Sequence, residues 1–256
     1  MEAVQKHFFS DIGVMFGRSM RHILRSMDTI ITVTIIPIVM MLLFVYVFGG
    51  AIHSGAHSYV NYLLPGILLM AIASGISYTA YRLFIDMQRG LFERLHSMPI
   101  ARSTILWGHV LTSLVSNAIS VVVIILVALV MGFRSSAGIL SWLAVAGILA
   151  LFTLALTWIA AIAGLSAKSV DGASAFSYPI IFLPFISSAF VPTKSMPLFV
   201  RVFANNQPVN SVVGVIRALL AGTPVGNDLW IALAWCLGIL VVAYVLAMRV
   251  YKRKIS

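Results

Sequence analysis

Residues 103–132 read STILWGHVLTSLVSNAISVVVIILVALVMG, without a single Lys, Arg, Asp or Glu. At ~1.5 Å of rise per residue a helix needs about 20 apolar positions to cross a ~30 Å hydrocarbon layer, so this run is long enough to cross with tilt or to begin in the interface. Further apolar runs occupy residues 29–50, 60–81, 139–163, 172–191 and 228–249, divided by Gly, Pro and charged residues. The 256-residue chain is 61% hydrophobic and 9% charged, with mean hydropathy +1.05. A soluble domain is nearer half apolar and a quarter charged, and no soluble core buries this much apolar surface. The expected fold is an all-α polytopic membrane protein with six transmembrane helices.

Charge gives the expected orientation. Net charge is +10, but the basic residues stand at the ends of apolar runs and form no stripe with interleaved aromatics, which speaks against a nucleic-acid partner. With the N-terminus inside, only Arg134, Lys194, Arg201 and Arg217 of the 17 Lys and Arg fall outside. The positive-inside rule then places both termini in the cytoplasm of a multi-pass inner-membrane protein. The first run follows a basic stretch and carries no small-residue cleavage pattern after it, so it reads as a retained span.

Two segments are expected not to span. On residues 11–27, Ile12, Phe16, Met20, Ile23 and Met27 fall within about 80° of one another on a helical wheel, with Arg18, Arg21 and Arg25 opposite. This reads as an interfacial helix meeting anionic headgroups, or as a soluble lead-in to the first span. Between Pro192 and Pro224 two short apolar pieces flank Asn205-Asn206-Gln207-Pro208 and read as a re-entrant or interfacial outer hairpin, with Gly222 and Pro224 as a helix stop.

Chemistry-bearing residues are sparse. Gly164-Leu165-Ser166-Ala167-Lys168-Ser169 lacks the second Gly of a phosphate-binding loop, so the chain has no nucleotide-hydrolysing machinery of that kind. His53 and His57 are four apart without a third ligand and read as loop histidines, with a metal pair as the alternative. His109 lies inside the third run, where an ionisable group points to function, but with no partner in view it reads as a packed neutral side chain. Asp28, Asp171 and Asp228 stand at span ends as helix caps or water-facing groups. Cys236, the single cysteine, reads as a packed thiol. The scarcity of midplane charge and of an internal repeat disfavours an ion-coupled secondary transporter working without an ATPase, which is the alternative function. No nucleophile, base and metal constellation suggests an intramembrane enzyme. Small pairs such as Ala71/Gly75 and Ala160/Gly164 permit close helix approach.

The most informative stretch is Arg82-Leu83-Phe84-Ile85-Asp86-Met87-Gln88-Arg89-Gly90-Leu91-Phe92-Glu93-Arg94-Leu95-His96-Ser97-Met98-Pro99-Ile100. Leu83, Met87, Leu91 and Leu95 repeat every four residues, with Asp86, Arg89, Glu93 and Ser97 on another face and Pro99 as a stop. Such a helix docks in a groove of another protein or lies on the membrane.

Asp86, Gly90, Glu93, Arg94, Leu95, Ser97, Pro99, Ile100 and Arg102 resemble the pattern of type-2 ABC exporter permeases, and in size and texture the chain is similar to the daunorubicin-resistance type. Leu64-Pro65-Gly66 and the outer Met196-Pro197, Asn206-Gln207-Pro208 and Arg217 to Gly222 also fit, while His96 departs where relatives often carry Arg. The resemblance implies one transmembrane domain over residues 1–256, with 11–27 as a connecting helix, 84–98 as a coupling helix and 192–224 as a re-entrant hairpin. It implies two copies of a separate ATPase, which binds ATP and Mg while this chain binds no cofactor and is no enzyme by itself. Asp86, Arg89, Leu91, Phe92, Glu93, Arg94 and Leu95 become the ATPase-coupling residues. A second permease, as a homodimer, completes a pathway along the second and fifth spans lined by Ser74, Tyr78, Phe176, Tyr178, Phe182 and Phe185. Those aromatics fit either substrate stacking or packing against core and lipid. The implied cargo is a hydrophobic small molecule such as a drug or antibiotic, or a lipid-linked compound.

Overall fold

A chain that crosses hydrocarbon has to satisfy its own main-chain hydrogen bonds, and the long apolar runs here do so as helices. The computed structural model describes residues 27–49, 59–90 and 104–255, together with Gly13 and Gly17, and the regular elements among them are all helical. Helix α1 is Met27–Leu42, continued by a π-helical stretch Leu43–Phe48; α2 is Tyr59–Gln88, α3 Thr104–Val130 and α4 Ile139–Ser166. Short helices α5 (Val170–Ala175) and α6 (Ser177–Phe182) lead into a 3-10 turn, Leu183–Ile186. Helices α7 (Leu198–Asn205) and α8 (Pro208–Ala221) form the hairpin, and α9 is Asp228–Ile255.

Four of the six expected spans, α2, α3, α4 and α9, are long and apolar enough to cross a membrane. The first and fifth are shorter apolar helices, Val33–Phe48 and Val170–Ile186. Pro37 lies inside α1. Where a fifth span over residues 172–191 was expected, the structure has three pieces, because Pro179 and Pro184 each remove an N–H donor from the ladder. The cap ahead of α5 is Ser169, whose hydroxyl accepts from the Gly172 amide at 3.1 Å, and the expected cap Asp171 sits instead in the first turn.

Helix α2 is the axis of the fold, packed against α1, α3, α4, α5, α6 and α8. In its most apolar stretch 78% of the residues are buried, against 22% for α9, which leans on α4 and α8 and leaves its other face exposed. Gly164 allows the close approach of α4 to α2, since a β-carbon there would fall 2.7 Å from the Ala80 carbonyl oxygen. At the end that carries the hairpin, Leu63, Leu64, Ile67 and Leu68 of α2 pack with Phe133, Phe190, Val212 and Ile216. At the opposite end, Leu83 joins Ile105, Leu106, Leu165, Tyr251 and Trp158, and the Trp158 ring meets Trp107 and Tyr244 edge-on or tilted. Cys236 is buried in the first of these clusters.

Helix α2 also runs unbroken through Phe84–Gln88, where the expected coupling helix begins, because no breaker intervenes before Gly90, whose φ of 66° ends the helix. Residues 91–98 of that helix, most of the expected interfacial helix 11–27, and His53 and His57 lie outside the described residues.

Candidate functional site

A seam of polar side chains runs between α2, α3 and α4 inside an otherwise apolar bundle. Gly75, Thr79 and Asp86 share one face of α2; His109, Thr112, Ser113, Ser116, Asn117 and Ser120 recur at helical spacing on α3; Thr153 and Thr157 stand one turn apart on α4. Thr79 Oγ1 donates to Ser113 Oγ at 3.0 Å, and Ser113 Oγ lies 3.1 Å from Thr157 Oγ1. Asn117 Nδ2 donates to the Ser113 carbonyl at 2.9 Å, while no described group donates to its buried Oδ1. That oxygen is pressed against α2, where a β-carbon on Gly75 would fall 2.2 Å away. Sequence reasoning passed over these residues one at a time; their spacing within the uncharged 103–132 run is the signal that would have grouped them.

Toward the end of α2 the seam closes on a polar contact, His109 Nε2 to Asp86 Oδ2 at 3.2 Å, with side chains only 9% and 24% exposed. His109 is therefore not the partnerless histidine expected, because the end of α2 packs against the start of α3 and brings Asp86 to face it. A small cleft opens beside the pair between α1, α2 and α3, lined by Tyr78, Arg82, Thr112 and Ser116 among others.

The expected coupling residues divide. Asp86 turns toward α3, Arg89 is exposed just past the end of α2, and Leu91, Phe92, Glu93, Arg94 and Leu95 lie outside the described residues. The expected pathway residues divide as well. Ser74 and Tyr78 belong to a half-buried stripe of α2 with Tyr81 and Ile85; the Ser74 hydroxyl donates back to the Met70 carbonyl at 3.0 Å, and the Arg82 guanidinium carbon sits 5.9 Å from the centre of the Tyr78 ring. Phe176 packs on the core, and Phe185 stacks on Phe190 at 4.6 Å between ring centres. Tyr178 and Phe182 are each 60% exposed.

At the other end the hairpin clasps the broken fifth segment. Gln207 Nε2 donates to the carbonyls of Leu183, at 3.2 Å, and Ile186, while Asn210 Oδ1 accepts from the Ser188 amide at 2.9 Å. Arg217 donates to the Ser188 carbonyl at 2.7 Å and the Tyr62 carbonyl at 3.1 Å, with its guanidinium 3.8 Å from the centre of the Tyr62 ring. Burial pulls this guanidinium below its ordinary pKa, and the carbonyls and ring face are what hold the cation there. The Tyr59 hydroxyl donates to the Phe190 carbonyl at 2.9 Å, and Asn61 exchanges two hydrogen bonds with the main chain of Arg134. Helix α8 starts with Pro208 and ends on Gly222 at φ 69°, the stop expected there.

Comparison with known proteins supplies the context. Residues 10–221 match the family described as ABC-2 type transporter. The chain is 27% identical over 226 residues to a daunorubicin resistance ABC transporter permease protein of Streptomyces coeruleorubidus, covering 88% of this chain and 80% of that one. It is 28% identical over 233 residues to a probable doxorubicin resistance ABC transporter permease protein of Mycobacterium tuberculosis, covering 90% of this chain and 83% of that one.

Proposed function

The chain belongs to the ABC-2 type transporter family, and from that premise we propose that it is the membrane-spanning half of a two-protein exporter for a hydrophobic small molecule, with ATP bound and hydrolysed on a separate subunit. The observation that carries this reading is the continuity of α2. One helix of 30 residues, roughly 45 Å at 1.5 Å per residue, joins the hairpin clasp at Tyr59 and Tyr62 to Asp86, where the ATPase-coupling motif begins.

In this reading six segments cross the membrane, both termini are cytoplasmic, and the hairpin faces outward. ATPase subunits dock on residues 86–98, with Arg89, Glu93 and Arg94 at the rim and Leu91, Phe92 and Leu95 in the groove. Closure of the ATPase pair displaces the connection between α2 and α3. Because α2 is continuous, the displacement reaches the outer clasp as a rigid-body shift and favours an outward-directed pathway. ATP and Mg stay on the partner. The exposed Tyr178 and Phe182 on the broken fifth segment, with the Ser74 and Tyr78 stripe of α2, support a pairing surface for a second permease and a stacking surface for ring-bearing cargo. The names of the two relatives support a drug-like cargo.

Glu93→Arg tests the docking. It is expected to abolish co-purification of the ATPase, or permease-stimulated ATP hydrolysis, with membrane insertion intact. Retention of both would remove the coupling assignment.

A further inference from the structure

We infer that Asp86 and His109 are positioning residues that clasp the two legs of the α2–α3 connection, so that the connection moves the helices as one body. The inference rests on the coupling reading above and changes what Asp86 does within it: its carboxylate acts through His109 on α3 and is not a docking contact. Asp86 lies two residues before the end of α2 and His109 five residues after the start of α3, so the pair ties the two helix ends that residues 89–103 connect.

Stability alone does not account for such a pair. Taking a charged group out of water costs several kcal/mol, and apolar side chains of similar size often hold two helices together at least as well. An ionisable pair at the edge of a membrane-embedded bundle is better explained by the one geometry it enforces. The apolar neighbours fit that division of labour. Leu83, Ile105 and Leu106 already bury the same helix ends against Tyr251, so adhesion is provided beside the clasp.

The seam supplies the continuation. One turn beyond His109, Ser113 begins the hydroxyl chain that joins Thr79 on α2 and Thr157 on α4. A displacement of the connection therefore arrives at three helices together when the clasp is shut, and only at the helix that is pushed when it is open.

The test uses the permease co-purified with its ATPase and reconstituted in liposomes, comparing wild type, Asp86→Asn, His109→Phe and the exchange Asp86→His with His109→Asp. Each single variant is expected to keep the ATPase bound and to keep the KM for ATP, while permease-stimulated kcat falls about tenfold, the size of an ordinary coupling free energy. The exchanged pair is expected to return kcat to within about twofold of wild type, since it restores the contact with its partners reversed. Unchanged kcat in the single variants overturns the clasp, and so does an exchanged pair that keeps the wild-type melting temperature with kcat still low. Absence of ATPase on the wild-type permease overturns the coupling reading and the clasp with it.

Discussion

The hairpin end and the polar seam use similar side chains to opposite effect. At the hairpin end Gln207, Arg217 and Tyr59 donate to main-chain carbonyls, whose positions are set by the backbone. Several of those carbonyls belong to Leu183, Ile186 and Ser188, in and just after the 3-10 turn that ends the fifth segment. In the seam, Thr79, Ser113 and Thr157 bond to one another, and a hydroxyl can give or accept. The first arrangement has one solution; in the second a hydroxyl that loses its partner can turn to another. An exporter needs both, a fixed outer seat for the broken segment and an interior whose helices stay joined while their hydrogen bonds re-form.

The sharpest way to break this contrast is Arg217→Met. It keeps the apolar stem of the side chain and removes the donors to Tyr62 and Ser188, leaving the Ser188 carbonyl unserved. The expected loss is about 2–3 kcal/mol, read as a lower melting temperature of the purified permease in detergent. A loss near zero would mean that the hairpin end is no lock.

Next in size is a pair of substitutions that add the same methyl at the two places. At Gly66, near the hairpin, a β-carbon would fall 2.6 Å from the Ala189 β-carbon and 3.3 Å from its α-carbon, so Gly66→Ala pushes on backbone. About 1–3 kcal/mol is expected, as for other overpacked sites. At Gly75 the obstacle is the far end of the Asn117 side chain, so Gly75→Ala is expected to cost less than about 1 kcal/mol, and nothing further once Asn117→Ala is added. The same melting measurement decides both, and equal costs would erase the distinction.

How far the sequence revealed these two regions follows from the kind of signal each leaves. Apolar runs announce α2, α3, α4 and α9, because hydrocarbon thickness sets their length. Gly222 and Pro208 announce the ends of α8, because helix ends demand particular backbone angles. The break in the fifth segment was legible only as two prolines; that Gln207 and Arg217 complete it depends on chain folding back from more than twenty residues away. The pairing of Asp86 with His109 likewise joins residues that no local period connects. The continuation of α2 into the motif was misjudged because the charges of Arg82 and Asp86 look like the edge of a span, while a helix continues until its geometry is interrupted, here at Gly90.

The smallest expected effect is the most discriminating for the seam. Thr157 Oγ1 donates to the Thr153 carbonyl of its own helix at 2.7 Å, which leaves it to accept from Ser113. The chain then runs in one direction, from Thr79 through Ser113 to Thr157 and out to Thr153. Thr157→Val keeps the shape of the side chain and removes the terminal acceptor, so the Ser113 proton has to turn toward another partner. Hydrogen bonds between helices inside membranes contribute about 0.6 kcal/mol on average, and a chain able to rearrange should lose no more than that. Permease-stimulated ATP hydrolysis is expected to change by less than about threefold, the rate equivalent of that energy. A loss above about 2 kcal/mol in the melting measurement would mean that the seam is as fixed as the hairpin clasp.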